Sequence, residues 1–163
     1  MTQHPNAELI QRFYRAFQQL DSRSMAACYH PQVRFSDPAF QGLQGQAAAD
    51  MWHMLCARAE DFSLTFEVLQ ADSQQGRARW VASYRFSQTG RRVVNHIEAE
   101  FRFADGLIIE HRDHFNLWRW SAQALGLKGL LLGRLPPVQK AISTKAMAGL
   151  AQWQRAQQAN AKA

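Results

Sequence analysis

From Phe62 onward the chain alternates apolar and polar residues through four consecutive runs, and this period of two constrains the fold more than any other feature. "FSLTFEVLQAD" sets Leu64, Phe66 and Val68 on one side. "GRARWVASYRFS" sets Ala78, Trp80, Ala82, Tyr84 and Phe86 against Arg77, Arg79 and Arg85. "VVNHIEAEFRF" sets Ile97, Ala99, Phe101 and Phe103 against His96, Glu98, Glu100 and Arg102. The last run is "IIEHRDHFNLWRW", residues 108–120. Thr89-Gly90 and Asp105-Gly106 supply hairpin turns between the runs. Successive strands joined by short turns pair antiparallel, with one face buried and the other wet.

The N-terminal third has the other period. Leu9, Ile10, Phe13, Phe17 and Leu20 recur at helical spacing after Pro5, with Asn6 as the expected cap. Asp21 opens a short second helix that Pro31 ends, and "VRFSDPAF" reads as a short strand broken by Asp37-Pro38. A third helix follows Gly45, with Met51, Leu55 and Ala59 along one face. Helices ahead of consecutive antiparallel strands make an α+β domain, in which a strongly twisted sheet curls around the helices and leaves a cavity between them.

A chain of 163 residues, 47% of them hydrophobic, suits one domain with its own core. No apolar run is long enough to span a bilayer, and "MTQHPNAELI" lacks the order of a signal peptide, so the expected compartment is the cytoplasm. Cys28 and Cys56 lie in helical patterns away from metal-ligand spacing and read as buried free thiols.

The chemistry-bearing residues gather in the last run. Period two places Ile109, His111, Asp113 and Phe115 on one face, and Glu110, Arg112, His114 and Asn116 on the other. An Asp beside a His orients the imidazole, which titrates near neutral pH. Two carboxylates and an imidazole around one cavity suit general acid–base work, whereas an Asp–His pair on a strand also serves as a buried structural hydrogen bond. For Asp37 the structural alternative is a turn carboxylate ahead of Pro38. Asp37, His111 and Asp113 are metal-ligand types, but no paired spacing supports a metal, and no cofactor is expected.

The order of elements, with Asp37 in "VRFSDP" after two helices and a closing strand containing "EHRDHFNLW", resembles the SnoaL-like and ketosteroid-isomerase-like superfamily over residues 6–120. The resemblance implies a cone-shaped domain over residues 1–120; residues 121–163 lie beyond it and are expected, from their apolar content, to be a helical extension packed on it. It implies that Asp37 is the general base, and it puts His111 and Asp113 inside the cone, facing Asp37 across its mouth. The oxyanion tyrosine of ketosteroid isomerases falls near Phe13, which makes the adjacent Tyr14 the candidate donor. Their second acid falls near Ala99. Epoxide-hydrolase-like relatives use an Asp-Arg-Asp set, but Arg112 has outward parity.

Trp80, Tyr84, Phe86, Phe101 and Phe115 then line a broad apolar cavity suited to a small hydrophobic molecule, with His53 of the third helix reaching it. The alternative is that these rings fill the cone, leaving a non-catalytic interaction module. The alternating charges of the outer sheet face suit a homodimer.

The charge is uneven. Residues 1–113 hold 12 Lys and Arg against all 13 acidic residues, while residues 114–163 hold seven cations and no acid. Val138, Ile142, Ala146, Leu150 and Trp153 form a stripe on a helix after Pro136-Pro137. The stripe packs on the domain or a partner subunit in the first reading and on anionic lipid in the second. Spread cations with few interleaved aromatics do not fit a nucleic-acid surface. The leucines of "LGLKGLLLGRL" are expected to be buried as this segment folds back over the cone.

Overall fold

The computed structural model describes residues 3–163. Two helices open the chain, α1 (Pro5–Gln18) and α2 (Ser22–Ala27), and a third, α3 (Gln46–Arg58), follows the first two strands. Six strands form one sheet: β1 (Tyr29–Ser36), β2 (Leu43–Gln44), β3 (Ser63–Ala71), β4 (Gln75–Arg85), β5 (Arg92–Ala104) and β6 (Leu107–His114). Three helices close the chain: α4 (Leu117–Leu125), α5 (Leu127–Leu132) and α6 (Pro136–Ala161). The strand order is β2-β1-β6-β5-β4-β3. All neighbours pair antiparallel except β1 and β6, which run parallel. The architecture is the α+β cone, with the N-terminal helices held against the curved sheet. No helix among the described residues is long and apolar enough to cross a membrane.

The buried face of α1 carries Leu9, Ile10, Phe13, Tyr14 and Phe17. Its cap is His4 instead of Asn6, with Nδ1 accepting the Asn6 amide at 3.1 Å. Pro5 occupies the first helical turn, where its missing N–H is not needed, so the cap moves ahead of it. Asn6 lies inside the helix and donates its side-chain N–H to the Asp72 carbonyl at 2.9 Å. Asp21 caps α2 through the Ser24 amide, but α2 ends at Ala27 and β1 begins at Tyr29, before Pro31. The inner face of α3 centres on Ala48, Met51, Trp52 and Cys56, with Leu55 only half-buried and Ala59 beyond the helix end.

The Asp105-Gly106 turn has positive φ at both residues, 55° and 74°, as a two-residue hairpin with native twist requires. A bulge follows it. Arg102 pairs with Glu110 and Phe103 with Ile108, so Ile109 is the extra residue. Ile108, not Ile109, therefore faces the core, and the alternation resumes with His111 and Asp113 buried. β6 stops at His114, and Leu117–Trp120 belong to α4 instead of extending the strand.

The C-terminal helices return to the domain. α6 lies against α3, with Leu150 buried, Ser143 donating to the Ala39 carbonyl at 2.7 Å and Gln154 donating to Asp50 at 2.9 Å. The leucine expectation fails at α5 and just past it: Leu127, Leu130, Leu131 and Leu132 stay exposed, and so does Leu135.

At Gly76 of β4 the side chain of Ile10 from α1 packs directly over the strand backbone. A Cβ there would meet Ile10 Cδ1 at 2.8 Å and Phe103 Cζ at 3.0 Å. A Gly76→Val substitution is expected to destabilise the fold by ~1–3 kcal/mol through overpacking, measured by urea denaturation. Unchanged stability would mean that α1 moves away at little cost.

Candidate functional site

The site begins with a polar chain inside an aromatic core. Trp52 Nε1 of α3 donates to the Tyr29 hydroxyl at 2.8 Å. That hydroxyl lies 2.7 Å from His111 Nδ1, and His111 Nε2 lies 2.9 Å from Asp113 Oδ1. Trp80 Nε1 reaches the same carboxylate oxygen at 3.4 Å. The donors fix the order. Tyr29 accepts from Trp52, so its own proton serves Nδ1, and the Nε2–H tautomer of His111 donates to Asp113. Each inner polar group is thereby satisfied, which burial demands.

His111 is fully buried, with rings of Phe13, Tyr29, Phe35, Trp52 and Phe101 at centroid distances of 4.4–6.1 Å. Its two nitrogens contact only Tyr29 and Asp113. Both donors to Asp113 fall on Oδ1, which leaves Oδ2 for another partner. Across β5 the residue opposite Asp113 is Ala99, the position that the resemblance assigned to a second acid. The carboxylate thus enters from the neighbouring strand.

Tyr14 of α1 completes this wall. Its hydroxyl is buried without a hydrogen-bond partner, the only such side-chain atom among the described residues. Burial, then the charge of Asp113, then Tyr29 push its pKa well above the usual tyrosine range. Desolvation without a partner costs ~1–3 kcal/mol.

Asp37 lies just past β1. Its Oδ1 accepts the amides of Ala39 at 2.7 Å and Phe40 at 2.6 Å, an Asx turn ahead of β2. Burial raises its carboxyl to about 7, with Asp113 adding to the rise and the two amides opposing it. Its charge in turn contributes to the raised pKa of Tyr84, after burial as the main cause and against the Trp120 bond. Asp37 thus shares an electrostatic neighbourhood with Asp113 and with Tyr84. Trp120 Nε1 of α4 donates to the Tyr84 hydroxyl at 2.8 Å, and Ser143 of α6 binds beside Asp37 at Ala39.

The remaining candidates divide. Trp80 and Phe101 are buried on the inner face. Phe115 is half-buried and packed on the core. Phe86 lies just past β4 and meets Trp120 edge-on at 5.2 Å. His53 turns elsewhere: its Nδ1 lies 2.6 Å from Ser22 Oγ, and it lines an outer groove with Arg23 and His30. Sequence reading missed Tyr29, Trp52 and Trp120. Tyr29 has the same odd parity as Val33 and Phe35, a signal hidden by starting the strand after Pro31.

Outside the cone, a basin of about 660 Å³ lies on the outer sheet face, lined by Arg34, Arg77, Arg102, Arg112, Glu100 and Glu110 among others. Several outer charges already pair within the chain: Arg79 with Glu98, Arg85 with Asp61, His114 with Glu100 and Arg112 with Glu110.

Residues 10–111 match the family model of the SnoaL-like domain. The chain belongs to this family. No curated protein matches the chain. Among solved structures, TsrD from Streptomyces laurentii is similar at 24% identity and a TM-score of 0.65, over 78% of this chain and 99% of that one. An LEH-like epoxide hydrolase of M. tuberculosis is similar at 18% identity and a TM-score of 0.60, over 81% of this chain and 96% of that one. TerC, co-crystallised with polyporic acid, is similar at 17% identity and a TM-score of 0.57, over 69% of this chain and 92% of that one. At these identities the likeness is one of fold. The family match ends at His111, so Asp113 and the closing helices of this SnoaL-like chain lie beyond it.

A raised folded pKa means that the folded state holds the Asp37 proton more tightly than the unfolded state. Its contribution to stability is therefore full below the ordinary carboxyl value of 3.8 and is lost as pH rises through about 7. Asp37→Asn retains an acceptor for the two amides and removes the titration. The variant is expected to lose less stability than wild type between pH 4 and pH 7, as read from denaturation midpoints. Parallel pH profiles would place Asp37 in a solvated, ordinary setting.

Proposed function

We propose that this SnoaL-like protein binds a small hydrophobic molecule at the polar end of the cone and catalyses proton abstraction or water activation on it. The observation that carries this reading is the buried, unpartnered hydroxyl of Tyr14 beside a carboxylate that still has a free oxygen. A fold gains nothing from such a donor unless a ligand accepts from it. Asp37 acts as general base, and a base with a pKa near the working pH is suited to that role. In an isomerase-type step the bond between carbon and the α-hydrogen of a carbonyl compound breaks, and the proton passes to Asp37. The electron pair moves onto the carbonyl oxygen, where Tyr14 donates. Asp113 holds the polar side of the ligand. His111 is a positioning residue that orients Asp113, with Tyr29 and Trp52 fixing its tautomer.

A second reading is a non-catalytic, homodimeric module joined through the outer sheet face. It draws support from the five rings closed around His111 and from the charged basin outside. In that reading the aromatic core is filled and Asp37 is a turn residue.

The two readings separate on exchange of α-hydrogens for deuterium in a panel of hydrophobic ketones, followed by NMR. The wild type is expected to accelerate exchange, with the rate rising through pH 7 as Asp37 loses its proton. Asp37→Asn should lower the rate by about 10²–10⁴-fold. An Asn variant as fast as wild type would remove Asp37 from the chemistry. A panel in which no compound raises the melting temperature, together with a dimer mass by light scattering, would favour the module.

A further inference from the structure

We infer that the α4–α5 hairpin is a docking platform for an anionic lipid bilayer. The hairpin is rigid. Gly129 and Gly133 are buried against α4, where a Cβ on either would strike the Ser121 carbonyl or its hydroxyl. Trp118 Nε1 donates to the Leu130 carbonyl at 3.0 Å, and the Arg134 guanidinium sits 3.9 Å over the Trp118 ring. With both glycines turned inward, the leucines of "LKGLLLGRL" turn outward. Leu127 and Leu131 are each 69% exposed, and Leu130, Leu132 and Leu135 are 40–49% exposed. A tightly packed element that presents five leucines to water is built for a surface, since soluble chains rarely leave such patches uncovered.

Charge selects the occupant. All seven cations of residues 114–163 are exposed, and among the described residues none of them pairs with a carboxylate. Lys128 and Arg134 flank the leucines within the hairpin, Arg119 lies on α4, and Arg91 lies against Gly126. Exposed leucines with unpaired cations on the same and adjoining segments match the acyl boundary and phosphate layer of an anionic bilayer. A second copy of the chain fits less well. Its identical hairpin would bring like charges together, and five partly exposed leucines offer a few hundred Å², below the ~800 Å² per partner of a stable dimer. With no spanning helix among the described residues, the contact is peripheral.

The test is co-sedimentation of the full chain with phosphatidylcholine vesicles, with or without one-third phosphatidylglycerol. Binding to the anionic vesicles should be at least about tenfold stronger and should weaken in high salt as screening shortens the reach of the cations. Leu127→Gln with Leu131→Gln should abolish binding at an unchanged melting temperature, because neither side chain packs on the core. Lys128→Glu should weaken binding on anionic vesicles. Equal binding to both vesicle types, or a double glutamine variant that binds like wild type, overturns the proposal. A dimer without vesicles that the same double variant dissolves overturns it in favour of self-association.

Discussion

The structure depends on keeping an imidazole satisfied at the centre of an aromatic core. His111 has no access to water, so each of its nitrogens needs a partner from the protein. Tyr29 supplies one and Asp113 the other. These partners arrive from β1 and β6, which run side by side and parallel, and Trp52 of α3 secures the far end. Register, helix placement and site geometry are thus coupled. A shift of β6 by one residue would turn both His111 and Asp113 to the wet face. The bulge at Ile109 sets that register.

The same chain connects packing to chemistry. Its inner members are fully paired and can only orient. Its outer members are not: Asp113 keeps a free oxygen, and Tyr14 keeps an unanswered hydroxyl. Asp37 is held by two amides at one oxygen in a setting that favours its proton. In the proposed function these are the groups from which a ligand would gain most, because the protein has already borne the desolvation. On the Asp37 side, α4 and α6 place Trp120 and Ser143 next to Tyr84 and Ala39.

Much of the fold was legible because period two and period 3.6 occupy separate parts of the chain, and the turn residues stand between the runs. The parity of β6 past the bulge was legible for the same reason, and so was the family resemblance through "VRFSDP" and the closing strand. Other features were set by tertiary structure. Ile109 looked inward because a bulge leaves no mark on alternation. Trp52 drew no notice in the helical pattern, because its indole N–H gains meaning only once Tyr29 is opposite it. His53 was expected to reach the cavity, but its ring is drawn to Ser22. The leucines of α5 looked buried by composition, yet two glycines take the buried positions because only they fit against Ser121. The strand expected to run to Trp120 ended at His114, where Asn116 caps α4 through the Arg119 amide.

The central claim is that the Tyr14 hydroxyl is held for a ligand and not for the fold. The direct measurement is the stability of Tyr14→Phe in the ligand-free protein, by chemical denaturation. Removing a hydroxyl that bonds to nothing should leave stability equal or raise it, since a buried unpaired polar group is lost at no cost in packing. A loss of ~1 kcal/mol or more, the usual worth of a hydrogen bond, would show that the hydroxyl serves the fold and would contradict the account.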